Sequence, residues 1–177
     1  MYKYLSLIFL LLLPLVVTAQ TVSIKLPYYA GRDYYFCLLR GTKQDTIFSG
    51  TLDARGRTVL NVSEHFPDYR GVGRFSVEEY AKIWNVVLNG NEKFTMSEPD
   101  KLEADPTFSG SVENNFLLDA LAGKKTNKEV NDSPLYAARI FEILNCLVSN
   151  NTSEQRQFIA EKLDFDDLYT SGFWQPT

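Results

Sequence analysis

The chain has 177 residues, with 18 Lys and Arg against 22 Asp and Glu, giving a formal net charge of −4. Hydrophobic residues at 45% and charged residues at 23% match a folded protein and exclude wholesale disorder. The mild acidity, with no basic run, leaves no phosphate-neutralising footprint and argues against nucleic acid as a partner. One histidine and two cysteines leave little for metal or nucleophilic chemistry.

At the N-terminus, Lys3 precedes an apolar run from Tyr4 to Val17, interrupted by Ser6 and Pro14. Val17-Thr18-Ala19 then places small or β-branched residues where a signal peptidase cuts. A membrane anchor needs ~20 apolar residues, and this run is shorter. The expectation is a signal peptide over 1–19, cleavage after Ala19, and an exported, periplasmic protein without a stable membrane span. No cysteine follows the cleavage site, so a lipid anchor is not expected. In an oxidising compartment Cys37 and Cys146 could form a disulfide. Cys37 lies in an apolar strand pattern and Cys146 on a helix pattern, so two separate thiols are the favoured reading. Neither belongs to a Cys-x-x-Cys pair.

From Thr21 to about Ser109 the chain reads as seven or eight short strands. Val22, Ile24 and Leu26 alternate with Ser23 and Lys25, the pattern of a half-buried strand. Tyr34 to Leu39 is apolar on both faces, and Gly41-Thr42-Lys43 turns into Asp45 to Leu52. Asp53-Ala54-Arg55-Gly56 is a tight reversal, after which Thr58 to Val62 is expected to pair back. Gly71-Val72-Gly73 reads as a bend before a strand over Arg74 to Val77. Ile83 to Leu88 follows, with Trp84, Val86 and Leu88 on one face. Asn89-Gly90 signals a hairpin into Lys93 to Ser97, and a last strand surrounds Phe108. This spacing predicts an antiparallel β-sandwich or barrel over 20–110.

The period then lengthens. Ser111 is an N-cap for a helix with an apolar stripe of Val112, Phe116, Leu117, Ala120 and Leu121, ended by Gly123. Lys124 to Asp132 reads as a mobile polar connection. Ser133-Pro134 opens a second helix with Tyr136, Ile140, Ile143 and Leu147 on one face. Thr152-Ser153-Glu154-Gln155 is a capping box for a third, which holds Phe158, Ile159 and Leu163. The fold class is therefore α+β, with about three helices over 111–177 as a connector or appendage. The terminal aromatics Tyr169, Phe173 and Trp174 are costly to leave in water, at ~1.5–3 kcal/mol for a large side chain. They form a candidate interaction surface.

Candidate chemistry is thin. Asp164, Asp166 and Asp167 lack the glycine and distal glutamate of a calcium loop. His65 sits in a turn without a nucleophile beside it. Glu78-Glu79 are adjacent, which in a strand points them to opposite faces. Gly71-Val72-Gly73-Arg74 lacks the third glycine of a phosphate cradle. No catalytic residue, metal site or cofactor is expected. Tyr28, Tyr29 and Tyr69 are candidate loop aromatics for a glycan or hydrophobic ligand. Cys37 or Cys146 as a lone reactive thiol is a further alternative.

The segments Tyr34-Tyr35-Phe36-Cys37-Leu38-Leu39, Asp53-Ala54-Arg55-Gly56-Arg57, Val86-Val87-Leu88-Asn89-Gly90-Asn91-Glu92 and Phe108-Ser109-Gly110-Ser111-Val112-Glu113-Asn114-Asn115-Phe116 carry a resemblance. In this order they resemble the uncharacterised N-terminal β domain found before a thioredoxin-like domain in exported Bacteroidota proteins related to TlpA-type thiol-disulfide reductases. The resemblance covers about Thr21 to Trp174. It implies an accessory role, with redox chemistry carried by a Cys-x-x-Cys in a following thioredoxin-like domain. No position here matches that active site, so the expectation is a truncated form or an independent accessory protein. Its partner would be another protein or a thioredoxin-like domain.

Overall fold

The computed structural model describes residues 19–78, 82–98 and 106–173. The predicted signal peptide, Glu79 and Trp174 lie outside the described residues. Eight strands form two four-stranded sheets. They are β1 (Thr21–Lys25), β2 (Asp33–Arg40), β3 (Lys43–Thr51), β4 (Arg57–Asn61), β5 (Arg70–Val77), β6 (Lys82–Asn89), β7 (Lys93–Ser97) and β8 (Thr107–Ser109). The first sheet runs β4-β1-β7-β8 and the second β3-β2-β5-β6. The α+β class holds, with strands mostly antiparallel; the exception is the parallel pair β1 and β7.

Alternation builds the sandwich core. Val22, Ile24, Leu60, Phe94 and Met96 from the first sheet meet Phe36, Leu38, Phe75, Trp84 and Leu88 from the second. Each full burial of this kind contributes about 1.5–3 kcal/mol. Tyr34 stacks on Phe75 at 5.4 Å between centroids, and its hydroxyl lies 3.1 Å from that of Thr58 across the two sheets.

Two of the expected hairpins are instead sheet crossings. Asp53 and Gly56 do form a tight turn, with the Gly56 N–H donating to the Asp53 carbonyl at 2.8 Å. The Asp53 carboxylate also accepts from the amides of Arg55 and Arg57. However, β4 pairs with β1, so this turn carries the chain from one sheet to the other. Asn89-Gly90 likewise turns, with Gly90 at φ +92°, but β6 and β7 belong to different sheets. Turn chemistry reverses a chain locally; which strand it then meets is decided by where apolar faces find cover. The β2–β3 link is a true hairpin, with a register shift at Phe36/Cys37.

Gly71 and Gly73 lie inside β5, not in a bend before it. A Cβ on Gly73 would approach Phe36 Cζ to 2.5 Å, and one on Gly71 would meet the Tyr69 hydroxyl at 2.5 Å. These glycines admit rings into the interior and carry no phosphate cradle.

Among the described residues the α-helices are α1 (Val62–His65), α2 (Val112–Leu121), α3 (Asn127–Asn131), α4 (Tyr136–Val148), α5 (Thr152–Glu161) and α6 (Phe165–Thr170). Leu39, Val72 and Val87 on the outer face of the second sheet pack against Tyr136, Ala137 and Ile140 of α4. Phe116, Leu117 and Phe173 complete this second core. Helices α2, α4 and α6 therefore form a third layer over the second sheet, whereas α1 packs against β1.

Candidate functional site

The capping chemistry of the helices shapes the site, and it departs from the expected pattern. Ser111 caps α2 as expected, its Oγ accepting from Asn114 N at 3.1 Å. The buried residues of α2 are Glu113, Asn114 and Ala120, whereas Val112 and Leu121 of the expected stripe are 62% and 53% exposed. Phe116, Leu117 and Ala120 of that stripe do pack inward, and tertiary hydrogen bonds explain why two polar residues join them. The Glu113 carboxylate accepts from the backbone amides of Tyr136 (3.3 Å) and Ala137 (2.7 Å), and from Asn89 Nδ2 at 3.3 Å. It caps α4 from another helix, so the N-cap is Leu135, with no side-chain bond, and Ser133-Pro134 lies outside the helix. Glu92 does the same for α2: it accepts from Ser111 Oγ (2.6 Å) and Val112 N (3.0 Å). A carboxylate at a helix N-terminus satisfies orphan donors and opposes the helix dipole favourably.

Asn114 has a different task. Its Oδ1 accepts from Val87 N at 2.7 Å and its Nδ2 donates to Val87 O at 2.9 Å. Val87 is on β6, the last strand of the second sheet. One amide side chain thus makes the two bonds that a residue of a neighbouring strand would make.

The other helix starts also differ. Lys124 to Asp132 contains α3, with a capping box between Thr126 and Glu129. Asn151, not Thr152, caps α5, accepting from Ser153 N and Glu154 N. Gln155 instead donates to the carbonyls of Cys146 and Ser149. Asp164 caps α6 through Asp166 N and Asp167 N, which gives the acidic run a structural role. Leu147, expected on the buried face of α4, is 53% exposed.

Where β6 meets this layer, a groove of about 410 Å³ opens. Its floor includes Leu39 and Val72; Leu117, Leu121, Ile140 and Leu144 of α2 and α4 form a wall. Pro106, Phe108, Ser171, Gly172 and Phe173 also line it. Among the described residues Arg74 is the sole charged side chain in its lining. Among the described residues its hydrogen-bond partner is the neutral Asn85, to whose Oδ1 Arg74 Nε donates at 3.2 Å. Size and lining fit a binding groove. A second cleft of about 470 Å³ lies between α3, α4 and α5 and includes Cys146, Glu142 and Lys162.

The sequence-derived candidates scatter. Phe173 lines the groove. Tyr169 is partly exposed, and its carbonyl accepts from Gly41 N at 2.6 Å, tying α6 to the β2–β3 turn. Trp174 lies outside the described residues. Tyr28 is exposed, while Tyr29 meets Trp84 edge to face at 5.6 Å. Burial first, then the Glu98 and Glu78 charges, raise the Tyr29 phenol. Tyr69 lies in the loop between α1 and β5 but turns inward. It is buried, its hydroxyl donates to the Leu39 and Val72 carbonyls, and burial pushes its pKa well up. It therefore presents no ring to a ligand beside Tyr28 and Tyr29.

The two cysteines are free. Cys37 is buried, with its Sγ 3.2 Å from Thr46 Oγ1. Burial pushes the Cys146 thiol up, which lowers its reactive thiolate fraction. His65 sits on α1 against the Phe48 ring at 4.8 Å. Glu78 pairs with Arg32 at 2.7 Å. Among the described residues, no group of three or more His, Cys, Asp or Glu could hold a metal. Nor is any helix among them long and apolar enough to cross a membrane.

The groove was not legible beforehand, because its lining comes from segments far apart in sequence. The one available signal was Val86–Glu92 together with Phe108–Phe116: these motifs supply Val87, Glu92, Glu113 and Asn114, which dock α2 onto β6. In comparisons with known proteins, the chain matches no family model and no curated sequence.

Proposed function

We propose that the chain is an exported, non-enzymatic accessory module that binds a partner protein through the groove beside β6. The carrying observation is that groove: about 410 Å³, walled by aliphatic side chains from β5, β6, α2 and α4, with one cation at its rim. Burying such a surface against a partner releases water from apolar area, at ~25 cal/mol per Å². The partner implied by the resemblance to the N-terminal region of thioredoxin-family reductases is a thioredoxin-like domain. Phe173, which lines the groove, supports a role for Tyr169, Phe173 and Trp174 in that contact.

Calorimetric titration of the purified chain with a thioredoxin-like domain, oxidised and reduced, tests the reading. Saturable binding that disappears in Leu144→Asp, with the fold intact by circular dichroism, is expected. Saturable turnover of a thiol, ester or glycoside by the chain alone would show an enzyme instead. A signal-peptide role for 1–19 is tested separately, by N-terminal sequencing of exported material: a start at Gln20 is expected.

A further inference from the structure

We infer that β6 is a strand-addition edge, and that the occupant of the groove is an extended segment of a partner protein carrying an acidic side chain. This rests on the groove being a protein-binding site and says how the partner is held.

The backbone argument comes from Asn114. Because Val87 N and O bond to that side chain, they point away from β5. In an antiparallel ladder the outward-facing residues recur every second position. Asn85 and Ile83, opposite Arg74 and Ser76 on β5, therefore turn their N–H and C=O to the same open side. Among the described residues, no strand lies beyond β6 in its sheet. Asn114 supplies the first rung of a ladder whose next rungs, at Asn85 and Ile83, stand at the groove.

Side chains argue for the same occupant. An added strand sends alternate residues to opposite faces, and apolar lining is present on both sides of β6. Leu117, Leu121 and Leu144 flank it on the helix side, and Pro106 and Phe108 on the other. Ile83 and Asn85 are exposed on the strand itself. Arg74, the lone charge of the lining, favours an acidic residue in the incoming segment. Main-chain bonds supply the affinity in this mode and alternating side-chain pockets the selectivity.

A library of random 12-residue peptides displayed on phage, panned against the full chain, tests the inference. Enriched peptides should alternate apolar residues and carry Asp or Glu. Their binding, read by fluorescence anisotropy, should weaken at least tenfold when alternate amides are N-methylated. It should weaken similarly in Asn85→Pro, which removes one outward N–H, and in Arg74→Glu. Bound peptide should slow amide exchange at Ile83 and Asn85. Failure to enrich any peptide, binders indifferent to N-methylation, or self-association through β6 in sedimentation would each overturn strand addition. The titration with a thioredoxin-like domain reports on the groove independently, so a positive result there with N-methylation-indifferent peptides leaves the groove standing and removes only the strand.

Discussion

Glu113 and Asn114 show how much a single polar residue can decide here. Both are buried on α2 at positions where periodicity alone would place apolar residues. Glu113→Ala would leave the Tyr136 and Ala137 amides without their acceptor, at about 1–3 kcal/mol per orphaned buried donor. Urea unfolding should therefore show a midpoint well below wild type, and Glu113→Gln, which keeps one acceptor, should lose less. Gly73→Ala is expected to cost about 1–3 kcal/mol, because its Cβ would meet Phe36 Cζ at 2.5 Å. Thermal unfolding reads that loss.

Asp167 gives a pH-dependent counterpart. Burial raises its pKa from 3.8, against the lowering influence of Arg70 and Arg139. A carboxyl with a raised folded pKa binds its proton more tightly in the native state. Its contribution therefore weakens stability as pH rises from the unfolded value through the folded one. Asp167→Asn removes that titration, so its melting temperature should gain on wild type between acid and neutral pH. Parallel melting curves across that range would refute the assignment.

At the scale of elements, capping and packing divide the helices into two kinds. The α4 helix is held by Glu113 at its start and by Tyr136, fully buried, whose hydroxyl lies 2.9 Å from Thr170 Oγ1 on α6. Arg70 lies over the Tyr136 ring at 4.5 Å. By contrast, α5 has no buried residue and depends on its Asn151 cap. Native-state hydrogen exchange should therefore open α5 at much lower free energy than α4. The sequence placed α2, α4 and α5 well, since each has a local period and a nearby cap residue. It missed α3, α6 and the true starts of α4 and α5. Short helices have little periodicity to read, and the α4 cap is supplied by Glu113 from another helix.

For the whole molecule, the helical layer shares a core with the second sheet through Leu39, Val72, Val87, Tyr136 and Ile140. Chemical unfolding should accordingly give coincident fluorescence and circular dichroism transitions. Separate transitions would mean that residues 111–173 fold apart from the β layers.

The sequence by itself determined the α+β class, the approximate places of the strands (with the first half of β5 read as a bend) and most turns, because alternation, helical periodicity and turn residues act over a few neighbours. Only the tertiary structure decided which strands share a sheet, that α2 buries Glu113 and Asn114 together with its apolar residues, and that among the described residues β6 ends its sheet beside a groove. Those outcomes depend on pairing between distant segments, where burial and unsatisfied backbone groups are settled by whatever partner the fold delivers, and no local pattern encodes that partner.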